Sequence, residues 1–337
     1  MLNKGIIRCM ALLMFAGMAG CQPDLPQASK TSGLPIKIAR SYWPGTYWID
    51  IADKKGWFAE ASLNVELIDI TADYVGSIDK TVARKIDTNS FTLFDLVKFN
   101  AKGAGLVMVI NSDNSFGSDA IVVQPGIESV RDLKGKTIGV AKNSYVEYIL
   151  GIALDREGLS LKDVTLENML TENAVKVFSK PSVDAVMAWE PMVTETIQKH
   201  NGHRVFDTSE VPGISPAGQV FHRDFINERP GDVQAFVNVW HKTTEFIKEH
   251  PKEAFEIISK IYKQTPGDVQ AFTQVDRILD LRDNLTAFAF GSGFDSLHGS
   301  IRKINDFLIV KGIAKEQLDS TEFLDARFIR ALKKASS

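Results

Sequence analysis

The chain has 337 residues, of which 44% are hydrophobic and 24% charged, and its formal net charge is −3. This length is enough for a large core and for two lobes. The mildly acidic composition gives no support for nucleic-acid binding, which needs a clustered basic surface. The only cysteines are Cys9 and Cys21, which excludes a disulfide, a thiol nucleophile or a cysteine metal ligand beyond position 21.

The N-terminus has the pattern of a secretion signal. Lys4 and Arg8 precede an apolar run at 10–16 that is too short to span a bilayer. Small residues at 19 and 20 lead to Cys21, and this pattern resembles a bacterial lipoprotein cleavage site. We therefore expect a signal peptide at 1–20 and a lipid anchor on Cys21. The alternative is an ordinary cleaved signal followed by a chance cysteine.

The first part of the chain predicts strands that alternate with helices. Residues 21–34 are rich in proline and serine and predict a tether. Strands are expected at 36–39, 65–68, 86–91 and 106–110, with helices at 46–55, at 72–85 and from 92 onward. This alternation is typical of an α/β fold with a largely parallel sheet.

The same alternation restarts after residue 118. Strands are expected at 119–123, 137–141, 164–169, 183–189 and 218–222, and helices at 145–157, 172–179 and 191–199. From 229 to 334 the pattern is nearly all helical. The segment 230–236 recurs as 266–272, which we interpret as two similar helix starts because the match ends immediately afterwards.

Catalytic motifs are missing from the sequence. It has no nucleophile elbow, no phosphate-binding loop and no dinucleotide fingerprint. His200 and His203 have a metal-like spacing, but Asn201 and Gly202 between them favour a solvated turn. We therefore expect no enzyme activity, no cofactor and no metal.

Aromatic and short polar residues follow four of the predicted strands, at 41–46, 89–92, 142–145 and 188–191. Open parallel sheets bind ligands at this edge, where helix N-termini point into a crevice. Two segments precede the restart and two follow it, as two facing lobes require. The candidate ligand-binding residues from these segments are Tyr42, Trp43, Ser90, Thr92, Asn143, Ser144, Tyr145, Trp189 and Glu190.

Several segments resemble a known family. Residues 113–122 and 130–140 are very similar to the middle of the nitrate/sulfonate/taurine-type (SsuA/THI5-like) substrate-binding proteins of ABC importers. Residues 51–58, 158–164, 183–191 and 223–230 continue the match in order. The resemblance covers roughly 35–265.

This resemblance implies a type II periplasmic-binding-protein fold, an α/β fold of two lobes joined by two crossing strands. Lobe 1 would comprise 35–115 and 218–337, and lobe 2 would comprise 116–217, with crossings near 111–121 and 212–219. It also implies a monomer that captures a small solute by hinge closure and delivers it to an ABC permease and its ATPase. Together with the lipoprotein pattern, this implies a lipid-anchored location on the periplasmic face of a bacterial membrane. In a Gram-negative source we expect the outer membrane, because Gln22 rather than aspartate follows Cys21.

The solute is less well defined by sequence. Members of the family bind nitrate, bicarbonate, sulfonates or nitrogen heterocycles, and aromatic candidates favour an organic solute here. Glu190 and Asp113 are candidates to pair with a cationic amine, and the helix starts at Thr92 and Ser144 are candidates to hold an anion. Two alternatives stay open: a solute-sensing lipoprotein that reports to a membrane signalling protein, and an enzyme of the thiamin-pyrimidine-synthase type.

Overall fold

The computed structural model describes residues 30–335. The expected signal peptide, Cys21 and most of the expected tether lie outside the described residues. Within them, the predicted alternation of strands and helices is present along the chain. The strands are β1 (Pro35–Arg40), β2 (Asn64–Asp69), β3 (Thr88–Thr92), β4 (Leu106–Ser115), β5 (Asp119–Val123), β6 (Thr137–Val140), β7 (Thr165–Asn168), β8 (Ala185–Trp189), β9 (His203–Asp207), β10 (Pro216–His222) and β11 (Asp276–Ile278).

The helices connect these strands and form most of the C-terminal region. They are α1 (Tyr47–Lys54), α2 (Trp57–Glu60), α3 (Tyr74–Val82), α4 (Leu93–Asn100), α5 (Tyr145–Arg156), α6 (Ala174–Phe178), α7 (Met192–His200), α8 (Arg223–Glu228), α9 (Pro230–Glu249), α10 (Pro251–Tyr262), α11 (Pro266–Val275), α12 (Leu281–Ala287), α13 (Leu297–Val310) and α14 (Arg327–Ala335). The repeated segments begin α9 and α11, as two similar helix starts.

Two separate sheets organise the described residues. The first has the strand order β11-β4-β10-β3-β1-β2, and the second has the order β7-β6-β8-β5-β9. In the first sheet β1 is parallel to β2 and β3, while β10 is antiparallel to both β3 and β4. A strand from late in the chain therefore lies in the middle of a sheet built from the first part. The predicted α/β fold is confirmed.

Local sequence explains the first of these elements. In β1 the apolar Ile36 and Ile38 are fully buried, whereas Pro35 and Lys37 are exposed, which is the alternation of a strand with one buried face. After α1 the chain reverses at Gly56, whose φ of +74° is the left-handed conformation that glycine tolerates. Gly56 therefore serves as the glycine that follows the C-terminus of α1.

The structure has two strands that the sequence patterns did not predict. β9 is an edge strand with a single fully buried side chain, so it lacks the apolar alternation that marks a strand. β11 has only three residues and lies in the region expected to be helical. It forms because its backbone pairs with β4, a tertiary contact that no local pattern encodes. In addition, β10 begins at Pro216, two residues before the expected lobe boundary.

Two short segments carry the chain between the sheets, one between β4 and β5 and the other between β9 and β10. Buried hydroxyl groups join them. The Ser115 hydroxyl lies 2.5 Å from that of Thr208 and 2.7 Å from that of Ser118, and the Gly117 N–H donates to Thr208 at 2.8 Å. The N–H groups of Phe116 and Ser118 also donate to the carbonyl of Val275, so the entry to β11 runs alongside the crossing.

The lobes also touch away from the crossings. Tyr148 of α5 packs against Phe94 of α4 and Phe307 of α13, with ring centroids 5.9 and 5.5 Å apart. Beside it the Lys311 ammonium donates to the fully buried carboxylate of Glu147 at 2.7 Å. An apolar core and a buried ion pair therefore hold α5 of one lobe against α4 and α13 of the other.

We predict that Gly218→Ala destabilises the protein, because an added Cβ on β10 would lie 2.0 Å from the carbonyl oxygen of Ile110 on β4. Such overpacking costs about 1–3 kcal/mol of unfolding free energy. Urea unfolding followed by circular dichroism would measure it. The matched control is Gly267→Ala, whose added Cβ meets only Thr265 at 3.6 Å. Equal stability of the two variants would contradict the close approach of β10 and β4.

Candidate ligand site between the two sheets

The candidate residues come from strand ends that point toward the junction of the lobes. Tyr42 and Trp43 follow β1, and Ser90 and Thr92 lie at the end of β3, on the first sheet. On the second sheet, residues 143–145 follow β6 and residues 189–190 end β8. Because β1 is parallel to β3 and β6 is parallel to β8, each set lies at the carboxyl edge of its own sheet.

On the first lobe, Trp43 and Asp113 are in direct contact. The indole Nε1–H of Trp43 donates to Oδ2 of Asp113 at 2.9 Å, and Asp113 is 1% exposed. The ring of Phe272 from α11 packs edge-on against Trp43, with centroids 5.0 Å apart. Tyr42 packs against Phe272 and also against Tyr262, with centroid distances of 5.6 and 5.2 Å. The first lobe therefore presents an aromatic cluster around one buried carboxyl group.

On the second lobe, the rings of Tyr145 and Trp189 stack at 5.5 Å with an interplanar angle of 18°. Trp189 is the last residue of β8 and pairs in register with Asp119, the first residue of β5. Both aromatic rings are half-buried. The second lobe thus also places an aromatic pair beside a buried aspartate.

Three aspartates meet where the chain crosses between lobes. Asp113 lies near the end of β4, Asp119 begins β5 and Asp276 begins β11, and each is 1% exposed. β11 is antiparallel to β4, with Asp276 opposite Ser115. The hydroxyl of Ser118 lies 3.4 Å from Oδ2 of Asp276. The two lobes and the returning helical tail each contribute one carboxyl group.

Burial and mutual repulsion raise the pKa values of these carboxyl groups. Burial raises the pKa of Asp113 to about 6. Burial also raises the pKa of Asp119 to about 6, and the charges of Asp113 and Glu190 add to this shift. The pKa of Asp276 lies well above its usual range because of burial, followed by the charges of Asp113 and Asp119. Burial also raises the pKa of the Tyr145 hydroxyl, and the charge of Asp119 adds to that shift.

Glu190 is engaged by neighbours within its own lobe. One carboxylate oxygen accepts hydrogen bonds from Arg204, at 2.6 Å, and from the Thr194 hydroxyl, at 2.9 Å. The other oxygen accepts the backbone N–H of Thr194 at 3.1 Å. Glu190 therefore caps the start of α7 and already has a cationic partner, in contrast to Asp113.

The short polar candidates are mostly engaged in local hydrogen bonds. Thr92 caps α4, because its hydroxyl accepts the N–H of Asp95 and donates to the Asp95 carboxylate at 2.8 Å. The Ser144 hydroxyl donates to the carbonyl of Ala141 rather than capping α5. The carbonyl of Asn143 accepts from Lys98 of the first lobe at 2.8 Å. Ser90 is half-buried in β3, opposite Gln219 of β10.

Sequence reasoning missed Asp119, Asp276 and Phe272 as site residues. Asp119 lies in the segment 113–122 that resembles the family and at the start of a predicted strand. These two features could have identified it as a candidate site residue. Phe272 and Asp276 lie in the part of the chain expected to be helical, and only the pairing of β11 with β4 brings them to the site.

None of the helices in residues 30–335 is long and apolar enough to cross a bilayer. In the same range, no group of three or more His, Cys, Asp or Glu side chains is arranged to hold a metal ion.

Comparison with known proteins agrees with this architecture. A Brucella abortus protein whose name describes it as a binding protein is 24% identical over 94% of this chain and 98% of its own length. A Bacillus subtilis protein named for binding aliphatic sulfonates is 28% identical over 77% of this chain and 79% of its own length. The solved Methylobacillus flagellatus periplasmic sulfonate-binding protein has a TM-score of 0.71 at 19% identity, covering 90% and 95% of the two chains. The desulfurization enzyme DszB shares the fold, with a TM-score of 0.63 at 14% identity over 90% and 99%.

The fold is thus that of periplasmic binding proteins, as the sequence predicted. The family model described as NMT1/THI5 like matches residues 44–254, more than half of the chain. The protein belongs to the NMT1/THI5-like family, and the resemblance seen in its sequence is confirmed.

We predict that Asp113 and Asp119 each contribute a loss of stability to the ligand-free protein as the pH rises from about 4 to 7, opposed by carboxylates with lowered pKa values such as Asp132 and Asp232. The folded state retains protons on Asp113 and Asp119 that the unfolded state releases at its ordinary pKa of 3.8, so raising the pH favours unfolding. The expected loss is about 3 kcal/mol for each carboxyl group. Urea unfolding at a series of pH values would measure it, with Asp113→Asn expected to flatten the dependence. An Asp113→Asn variant with the same pH dependence as the unsubstituted protein would contradict the raised pKa of Asp113.

Proposed function

We propose that this protein is the extracytoplasmic solute-binding lipoprotein of an ABC importer. It captures a small organic solute in the cleft between its lobes by hinge closure. Membership of the NMT1/THI5-like family and the periplasmic sulfonate-binding proteins among its structural relatives support this role. The partners are the solute, an ABC permease with its ATPase, and a membrane reached through a lipid on Cys21; the protein acts as a monomer.

The observation that carries this proposal is the aromatic and carboxyl cluster between the lobes. Trp43 and Asp113 on one lobe face the crossing, and Tyr145, Trp189 and Asp119 lie beside it on the other. Half-buried aromatic rings around a few polar groups are typical of a site for a small organic molecule. A site divided between two lobes closes around its ligand when the crossing segments bend.

Two other functions remain as alternatives. A solute-sensing lipoprotein would bind by the same geometry, and a neighbouring gene for a membrane kinase or cyclase rather than a permease would favour it. An enzyme of the thiamin-pyrimidine-synthase type has less support, because residues 22–337 have no cysteine and the candidate site pairs no nucleophile with a base.

A thermal-shift screen of the purified protein tests solute capture directly. The panel contains sulfonates, taurine, nitrate, bicarbonate, pyrimidines, flavins and amines. A ligand at 100 times its Kd stabilises the fold by about 2.7 kcal/mol, which shifts the melting temperature measurably. A strong hit supports solute capture and names the solute class. A well-folded protein that responds to no member would count against capture of these classes.

We predict that Trp189→Ala weakens binding of the solute by more than about 1 kcal/mol, because its ring stacks on the solute. Isothermal titration with the strongest hit of the screen would measure the change. Trp57→Ala is the control, since Trp57 packs against Phe246 on the outer helices of the first lobe. Equal affinity in a folded Trp189 variant would assign this ring to packing.

We predict that Cys21→Ala abolishes lipidation and releases the protein from the membrane. Growth of the source bacterium with labelled palmitate, followed by membrane fractionation, would measure both effects. Cys9→Ala is the matched control, because Cys9 lies inside the expected signal peptide. A Cys21 variant that keeps the label would contradict anchoring at this residue.

A further inference from the structure

We propose that Asp113, Asp119 and Asp276 together bind a cationic nitrogen of the solute. The solute would then be an organic cation, either an ammonium compound or a protonated nitrogen heterocycle. This inference rests on the proposed solute-binding function and names the class of ligand. It assigns to the site two carboxyl groups that the sequence patterns did not indicate.

The first argument is that three carboxyl groups are buried together without a cationic partner. Three other deeply buried carboxylates each have a cationic partner: Asp50 pairs with Arg40 at 2.5 Å, Asp232 with Arg229 at 2.5 Å and Glu147 with Lys311 at 2.7 Å. The aspartates of the cluster are buried as deeply, yet none of them forms an ion pair with a residue in the range 30–335. Buried charge without a partner is costly, so the cluster favours a cation supplied from outside the chain.

The second argument comes from unpartnered polar atoms. The Oδ1 atoms of Asp113, Asp119 and Asp276 are fully buried and accept no hydrogen bond from an N–H or hydroxyl group of the described residues. The carboxyl groups of Asp113 and Asp276 hydrogen-bond to each other, and Asp119 is also within reach of Ser115 and Tyr145. The hydroxyl of Tyr47 is likewise buried, beside the Tyr42 hydroxyl. Burial raises the pKa of this hydroxyl, and the charge of Asp276 contributes, so Tyr47 lies near the cluster. Buried polar groups are normally satisfied, and these atoms leave acceptor positions for an N–H donor of the ligand.

The third argument is the aromatic surroundings. Trp43 hydrogen-bonds to Asp113, and Trp189 stands opposite Asp119 in the second sheet. Tyr145 stacks on Trp189, and Phe272 packs on Trp43. Aromatic faces attract cations through their quadrupoles, most strongly where water is excluded. Carboxylates combined with aromatic rings therefore match an organic cation.

Other ligands fit this cluster less well. A sulfonate or nitrate would meet the negative charges of Asp113 and Asp119 once these groups ionise above their pKa of about 6. A bare metal ion lacks a suitable arrangement of ligands in the described part of the chain, and the aromatic rings offer it no oxygen donors. The solute would then differ in charge from the sulfonates named for the Bacillus subtilis relative.

The experiment is a fluorescence titration at pH 7.5 with a matched panel. Benzylamine, benzyltrimethylammonium, choline and a 4-aminopyrimidine that carries an aminomethyl group are each paired with a neutral hydroxyl analogue and a sulfonate analogue. The purified protein is compared with Asp113→Asn, Asp119→Asn and Asp276→Asn, and with Asp53→Asn as an exposed control on α1. We expect at least one cation to bind at least tenfold more tightly than its neutral partner. Each cluster variant should lose that preference, and the control should keep it.

The unsubstituted protein supplies a second measurement in case a variant does not fold. Affinity for the cation should rise at least fivefold from pH 5 to pH 8 as the carboxyl groups ionise, while affinity for a neutral analogue should stay constant. The ionisation of each of these carboxyl groups is influenced by the charges of its neighbours in the cluster and of Glu190. The rise in affinity with pH therefore reports on the cluster as a whole.

Each outcome decides between the two proposals. Cation binding that depends on the cluster supports both. Binding of a sulfonate or neutral analogue that the Asn variants leave unchanged overturns the cation assignment and leaves solute binding intact. If no compound binds and the folded variants behave like the unsubstituted protein, the cation assignment is overturned and solute capture loses support.

Discussion

The pairing of β10 with both β3 and β4 is the constraint on which the rest of the structure depends. It inserts a strand from residues 216–222 between two strands from the first third of the chain. The chain must therefore leave the first sheet after β4, build the second sheet and return before β10. Because β10 is inserted in this way, the chain crosses between the sheets twice, and the two crossing segments contact each other. The close approach of Gly218 to Ile110 shows how tightly the inserted strand fits.

The crossing region concentrates polar groups where the backbone passes between lobes. Hydroxyl groups of Ser115, Ser118 and Thr208 hold the two segments together with short neutral hydrogen bonds. Neutral hydrogen bonds of this kind are worth about 1 kcal/mol each. The stronger contacts between lobes lie farther away, at Tyr148 and at the Glu147–Lys311 ion pair.

The buried carboxyl groups of the candidate site differ from those elsewhere in their charged partners. Elsewhere in the described residues, buried carboxylates are neutralised by arginine or lysine or are satisfied by hydroxyl groups, as at Asp50 and Asp95. At the crossing, Asp113, Asp119 and Asp276 are buried together with hydrogen bonds from neutral groups but without a cationic partner among the described residues. Stability alone does not explain this arrangement, because burial and the charges of Asp113 and Asp119 raise the pKa of Asp276 well above its usual range. It is consistent with a site whose carboxyl groups interact with a bound ligand.

The sequence by itself determined the α/β class, the restart after residue 118 and most strand positions, because these depend on local hydrophobic periodicity. It also located Trp43, Tyr145 and Trp189 at strand ends, because a parallel sheet brings its carboxyl edges together, whereas Asp113 became a candidate through the segment that resembles the family. Only the tertiary structure decided that Glu190 is held by Arg204 and that Thr92 is occupied in capping α4. It also decided that Asp276 joins the site, because β11 is formed by pairing with β4 across a separation of more than 160 residues, and no local pattern encodes such a contact.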